Sequence, residues 1–170
     1  QKLNPNWDGV ICLPGTHTKW VQMSAGEIVS FQTFMTGEIF ALLSTASVLR
    51  HSVSSDAWDQ PTFDQAVDEA MSRPEAIAAR LFGLRAGSLL NNMPANIAKS
   101  RLSGLLIGAE LAASKPYWLG QPLAIIGPKS MSEGYATALA AQHVPITRTD
   151  TAQMTLAGLK AAYTNWKETL

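Results

Sequence analysis

Apolar residues fall into three short runs near the start of the chain, each closed by a turn. Val10-Ile11-Cys12-Leu13 is continuously apolar between Asp8-Gly9 and Pro14-Gly15, as a buried strand would be. Lys19-Trp20-Val21-Gln22-Met23 predicts a second strand and Ser24-Ala25-Gly26 a turn, while Glu27–Met35 alternates apolar and polar side chains as a third. From Thr36 the spacing becomes helical. Thr36 as N-cap, Glu38 in the first turn, and Phe40, Leu43 and Val48 on part of one face predict a helix ending at Arg50-His51. After a polar link at Ser52–Asp56, Thr62 is placed to cap a second helix, whose stripe is Phe63, Ala66, Val67, Ala70 and Met71. A third runs from Pro74 to Leu90, with Ile77, Leu81, Leu84 and Leu89 as packing residues and Asn91-Asn92 as its end.

A fourth helix is predicted over Ile97–Ala113. Its Gly104 and Gly108 lie one above the other, and small residues so spaced permit close backbone approach, either to a neighbouring helix or to a ligand. The rest alternates strand and helix. Leu123-Ala124-Ile125-Ile126 is an apolar run of the kind buried on both faces, and Gly127-Pro128-Lys129 breaks it. Ser130 with Glu133 suggests a capping box for a helix through Gln142. Val144–Thr147 is a short strand with Pro145 indicating an edge or a start, and Thr151 opens a final helix carrying Met154, Leu159, Ala162, Tyr163 and Trp166. The order βββ, helices, β, α, β, α is that of an α/β, ribonuclease H-like lobe, a mixed sheet flanked by helices.

Composition fits one soluble domain. At 170 residues the chain can bury a substantial single core. A formal net charge of zero, with both signs mixed along the chain, argues against nucleic acid as a partner. No apolar run approaches membrane-spanning length and no signal segment opens the chain. The single cysteine, Cys12, lies in a predicted buried strand, so no disulfide framework exists and a cytoplasmic location is the expectation.

Candidate chemistry concentrates in Leu13-Pro14-Gly15-Thr16-His17-Thr18-Lys19. A glycine lets the backbone approach an anion, and Thr16 and Thr18 add hydroxyl donors. His17 can donate to a phosphoryl oxygen or bond the local backbone, and Lys19 can neutralise phosphate or point to water. No metal-ligand cluster, paired-carboxylate site or Ser/His/Asp arrangement is visible in order or spacing.

Three consecutive strands with such a turn between the first two resemble the opening of the nucleotide-binding lobe in the sugar kinase, actin and heat-shock chaperone superfamily. Pro14–Trp20, Met35-Thr36-Gly37-Glu38, Leu81-Phe82 followed by Arg85-Ala86, and Leu102–Glu110 resemble, in order, the 2-dehydro-3-deoxygalactonokinase family. That resemblance implies ATP-dependent phosphorylation of 2-dehydro-3-deoxygalactonate, with magnesium bridging the phosphates. It implies phosphate binding at Gly15, Thr16, His17, Thr18 and Lys19, and adenosine binding at Gly127, Pro128, Lys129 and Ser130. Arg85, Ser103 and Gly104 are candidates to line the pocket.

Members of the family carry an Asp-containing phosphate hairpin and an acidic Arg-Gly-Glu-Glu segment ahead of the strand that here starts at Gly9. Neither is in the sequence, which begins at Gln1. The resemblance therefore places the catalytic acid upstream of Gln1 and no catalytic residue in this chain. Residues 1–8 are expected to lead in from an N-terminal lobe that supplies that acid, and residues 9–170 to form the C-terminal lobe. The resemblance implies the sugar acid, ATP and that N-terminal lobe as partners, with a homo-oligomer as a further expectation. A nucleotide- or sugar-binding lobe without turnover is the alternative. Members often have histidine where this chain has Ala46.

Overall fold

In the computed structural model, which describes residues 7–168, five strands form one mixed sheet in the order β3-β2-β1-β4-β5. Strands β1 (Gly9–Leu13), β2 (Thr18–Ser24) and β3 (Glu27–Phe34) run antiparallel as a meander. Strands β4 (Leu123–Ile126) and β5 (Ile146–Thr149) add parallel to β1, with β5 at the edge. This is the predicted ribonuclease H-like order. The β2–β3 turn puts both Ala25 (φ 52°) and Gly26 (φ 80°) in the left-handed region, the twist a two-residue hairpin needs. Residues 1–6 of the expected lead-in, Gln1 among them, lie outside the described residues.

Helices α1 (Thr36–Thr45), α2 (Gln60–Ser72), α3 (Ile77–Leu90), α4 (Ala95–Ala113) and a short α5 (Lys115–Trp118) separate β3 from β4. Helix α6 (Lys129–Ala141) joins β4 to β5, and α7 (Thr151–Glu168) follows β5. Val10 and Cys12 of β1, Trp20 of β2 and Leu123 and Ile125 of β4 turn one face of the sheet onto Phe63 and Val67 of α2, Ile107 and Leu111 of α4, and Leu139 of α6. A second cluster, around Leu84 and Leu102, joins α3 and α4 to the 3-10 turn Val48–His51.

The helix starts differ from expectation. Met35, not Thr36, is the cap of α1, and the helix stops at Thr45; Val48–His51 is a separate 3-10 turn opened by Ser47, whose Oγ accepts the Leu49 N–H. Asp59 rather than Thr62 caps α2, its Oδ1 accepting the Thr62 N–H at 2.9 Å. Pro74–Ala76 is a 3-10 turn before α3, and Leu89 faces solvent. Pro128 precedes α6, so Ser130 and Glu133 fall inside the helix and form no capping box. The last strand begins after Pro145, at Ile146.

Strand β4 is buried on one face, not both, because Ala124 and Ile126 are only half-buried. Among the described residues α7 does not cover its other face: none of that helix is buried, and Leu156, Leu159, Tyr163 and Trp166 are exposed.

Candidate functional site

A cavity of about 530 Å³ opens where the β1–β2 turn meets the starts of α1 and α6. Gly15 contributes the turn, Thr36, Gly37 and Phe40 the first helix, and Ser130, Met131, Glu133, Gly134 and Tyr135 the α6 start. Trp58 and Gln60 line it from the α2 start, and Ser103, Leu106 and Ile107 from α4. The volume suits a small organic ligand, with apolar walls for a ring and polar groups from the first two turns of α6, the starts of α1 and α2, and Ser103 in the middle of α4.

Short local contacts build the turn. Gly37 presses against the Gly15–Thr16 backbone, where a side-chain carbon on it would lie 2.9 Å from the Thr16 Cα, and the Glu38 N–H donates to the Thr16 carbonyl at 3.0 Å. His17 Nε2 meets Glu38 Oε2 at 2.5 Å, a second tie between turn and helix. Gly15 itself has open space around the position a Cβ would take. Gly127 backs onto the same turn, since a Cβ there would sit 3.3 Å from Pro14 Cδ and 2.7 Å from Ser132 Oγ. The two segments singled out in the sequence, Gly15–Lys19 and Gly127–Ser130, are therefore neighbours in space.

Their side chains are not all free to serve a ligand. Thr16 is exposed at the turn. Thr18 is fully buried, its Oγ1 2.9 Å from the Tyr135 hydroxyl, and Lys19 donates to the His17 carbonyl at 2.8 Å. Pro128 and Lys129 precede the cavity-lining residues of α6, and Ser130 is among them. Ser103 lines the cavity. Gly104 faces α2 instead, where a Cβ would lie 2.8 Å from the Ala66 Cβ, so its small size serves helix packing. Arg85 sits half-buried on α3, outside the lining.

Helix α6 starts without a side-chain cap, which leaves its first N–H groups and the positive end of its dipole at the cavity. The Ser132 hydroxyl, buried one turn in, has no hydrogen-bond partner among the described residues. Glu133 pairs with Arg148 at 2.8 Å, and the hydrogen bond and charge of that guanidinium hold its carboxyl below the usual range.

Sequence reasoning missed the group behind these walls. Glu110, only 3% exposed, accepts the Trp20 Nε1–H at 2.7 Å, and its Oε2 lies 2.7 Å from the Tyr135 hydroxyl. Burial raises its carboxyl above the ordinary value, against the lowering effect of hydrogen bonds from Thr36, Trp20 and Tyr135. Burial likewise raises the Tyr135 hydroxyl, with the Glu110 charge adding to it. A lone acid inside the apolar run Leu105–Leu111 was the available signal. Among the described residues no group of three or more His, Cys, Asp or Glu is placed to hold a metal ion, and no helix is long and apolar enough to cross a membrane.

The sheet order, and a cleft between the first hairpin turn and the start of the helix after β4, define a kinase-like lobe of ribonuclease H-like topology. The family model described as 2-keto-3-deoxy-galactonokinase matches residues 1–162. The chain belongs to that family. A Rhizobium meliloti (strain 1021) protein assigned as a 2-dehydro-3-deoxygalactonokinase is 34% identical over 157 residues, which is 90% of this chain and 51% of that protein. The 2-dehydro-3-deoxygalactonokinase of Escherichia coli (strain K12) is 33% identical over 136 residues, covering 79% of this chain and 46% of its own length. A Sinorhizobium meliloti crystal structure assigned to the same activity superposes with a TM-score of 0.88 at 32% identity, over 95% of this chain and 55% of its own. The chain thus spans about half the length of the relatives it matches.

Proposed function

We propose that this chain is the C-terminal lobe of a kinase that transfers the γ-phosphate of ATP to 2-dehydro-3-deoxygalactonate, forming the 6-phosphate. The observation that carries the reading is the shared cavity, because Gly15 and Ser130, from the two segments expected to hold phosphates and adenosine, line one space of nucleotide size.

The residues present fit a nucleotide. Open space at Gly15 admits a phosphate to the turn backbone, and the uncapped start of α6 offers N–H donors and a favourable dipole to an anion. Trp58, Phe40 and Met131 supply apolar surface for a purine. Phosphoryl transfer needs mainly positioning and charge neutralisation. This lobe positions the donor, while the acid that orients the acceptor hydroxyl belongs to the N-terminal lobe, ahead of Gln1 in the full-length protein. Magnesium, when bound, neutralises phosphate charge, and it would enter the cleft on the nucleotide oxygens. The enzyme would work in the cytoplasm.

The test is ADP formation by the full-length protein with 2-dehydro-3-deoxygalactonate and with its gluconate epimer. Turnover dependent on the galactonate derivative is expected. ADP binding with no turnover on either acid would instead favour a non-catalytic nucleotide-binding lobe.

A further inference from the structure

Three walls of the cavity meet at one buried carboxylate that the phosphoryl-transfer reading leaves unused. Thr18 follows the turn directly, and its hydroxyl reaches the Tyr135 hydroxyl at 2.9 Å. Tyr135 lines the cavity from α6 and passes the chain to Glu110 Oε2 at 2.7 Å. Thr36, which lines the cavity at the start of α1, is near enough to Glu110 to help lower its carboxyl against the effect of burial. Trp20, in the strand that leaves the turn, donates to Oε1 at 2.7 Å. A carboxylate has enough acceptor positions for these donors, and a satisfied buried network is rigid.

Stability alone does not account for an acid here. Burying a carboxylate is costly, and well-packed apolar groups of similar volume commonly do as well or better. What an apolar residue cannot do is hold three separate elements at fixed angles.

We propose that Glu110 is a positioning residue for the nucleotide cleft, setting the Gly15 turn, the start of α1 and the start of α6 relative to one another through Thr18, Thr36 and Tyr135. The proposal rests on the reading of that cleft as the nucleotide site. Glu110 touches no substrate. It acts by keeping the turn backbone and the α6 N–H groups at the spacing the phosphates require.

The test compares steady-state kinetics of the full-length protein with those of Glu110→Gln and Tyr135→Phe. The second variant cuts the link to the turn and α6 while leaving the carboxylate with Trp20 and Thr36, so it stays informative where the first fails to fold. Arg101→Ala is the stability control: it removes the 2.5 Å ion pair to Glu69 between α4 and α2 without touching the network. Both network variants should raise KM for ATP on the order of tenfold, as expected for a misplaced binding group, with KM for the sugar acid nearly unchanged. Arg101→Ala should lower Tm and leave KM for ATP alone. Wild-type KM for ATP in both network variants, or an equal shift in Arg101→Ala, overturns the positioning role. A wild-type protein whose rate is independent of ATP removes the nucleotide reading itself, an outcome distinct from either.

Discussion

Gly37 lies against the backbone of Gly15, so close that any side chain on Gly37 would overlap the Gly15 carbonyl oxygen. The first helix can approach the turn only because this position has no Cβ. Gly37→Ala should therefore push the turn and α1 apart, with an overpacking cost of about 1–3 kcal/mol. Gly83→Ala is the matched control, since a Cβ there meets nothing within 4 Å and lies in the middle of α3. It should stabilise by roughly 0.5–1 kcal/mol. Chemical denaturation of both variants reads the contrast, and equal stabilities would mean that the turn does not need the close contact.

The same logic applies to Gly108, where a Cβ would stand 2.5 Å from the Val67 carbonyl oxygen and 2.9 Å from the Ala70 Cβ. Gly108→Ala should cost about 1–3 kcal/mol by separating α4 from α2. A thermal melt at or above the wild-type Tm would show that the helices have room to spare.

Glu110 makes stability depend on pH in a stated direction. Burial raises its folded-state value above the 4.5 of a free carboxyl, so the folded chain holds this proton more tightly than the unfolded chain does. Its contribution is fully present below the unfolded value and is lost as pH rises through the raised one. Cys12 and Tyr135, the titratable groups that face it, are both raised well above their ordinary values and stay neutral across that window. The stability of the wild type relative to Glu110→Gln should be greatest at acid pH and decline as pH increases. Denaturation series of both proteins across the window check this, and a constant difference would place the carboxyl at its unperturbed value.

Much of this lobe was legible because its signals are local. The three opening strands, the Ala25-Gly26 hairpin turn and the stripe Phe63, Ala66, Val67 and Ala70 each follow from short-range pattern, and each stands where expected. Helix starts were less legible. Pro61 in the first turn of α2 moves the cap back to Asp59, and Pro128 does the same at α6 by preceding the apparent Ser130/Glu133 box. In the site, Gly15, Ser103 and Ser130 reach the cavity from separate parts of the chain. Thr18 turns inward because alternation along β2 puts it on the same face as Trp20. Glu110 and Tyr135 could not be paired from sequence, since their contact joins α4 to α6 across the sheet's covered face and leaves no periodic trace.

If the proposed cleft is right, this chain by itself should hold ATP weakly, because it would carry only one of the two phosphate-binding turns and a single wall cannot close over the nucleotide. Calorimetric titration of this chain should show markedly lower affinity than the full-length protein. Submicromolar binding by the chain alone would mean that the other lobe adds little.

Nucleotide affinity of Gly15→Val in the full-length protein tests the central claim most directly. Gly15 has no left-handed φ and open space where a Cβ would go, so the substitution should leave Tm unchanged while its branches fill the place proposed for the phosphates. Titration with ADP should show a clear loss of affinity, and turnover should fall on the order of a hundredfold, as when a transition-state donor is removed. Wild-type ADP affinity and turnover in Gly15→Val would contradict the assignment of this cleft to the nucleotide.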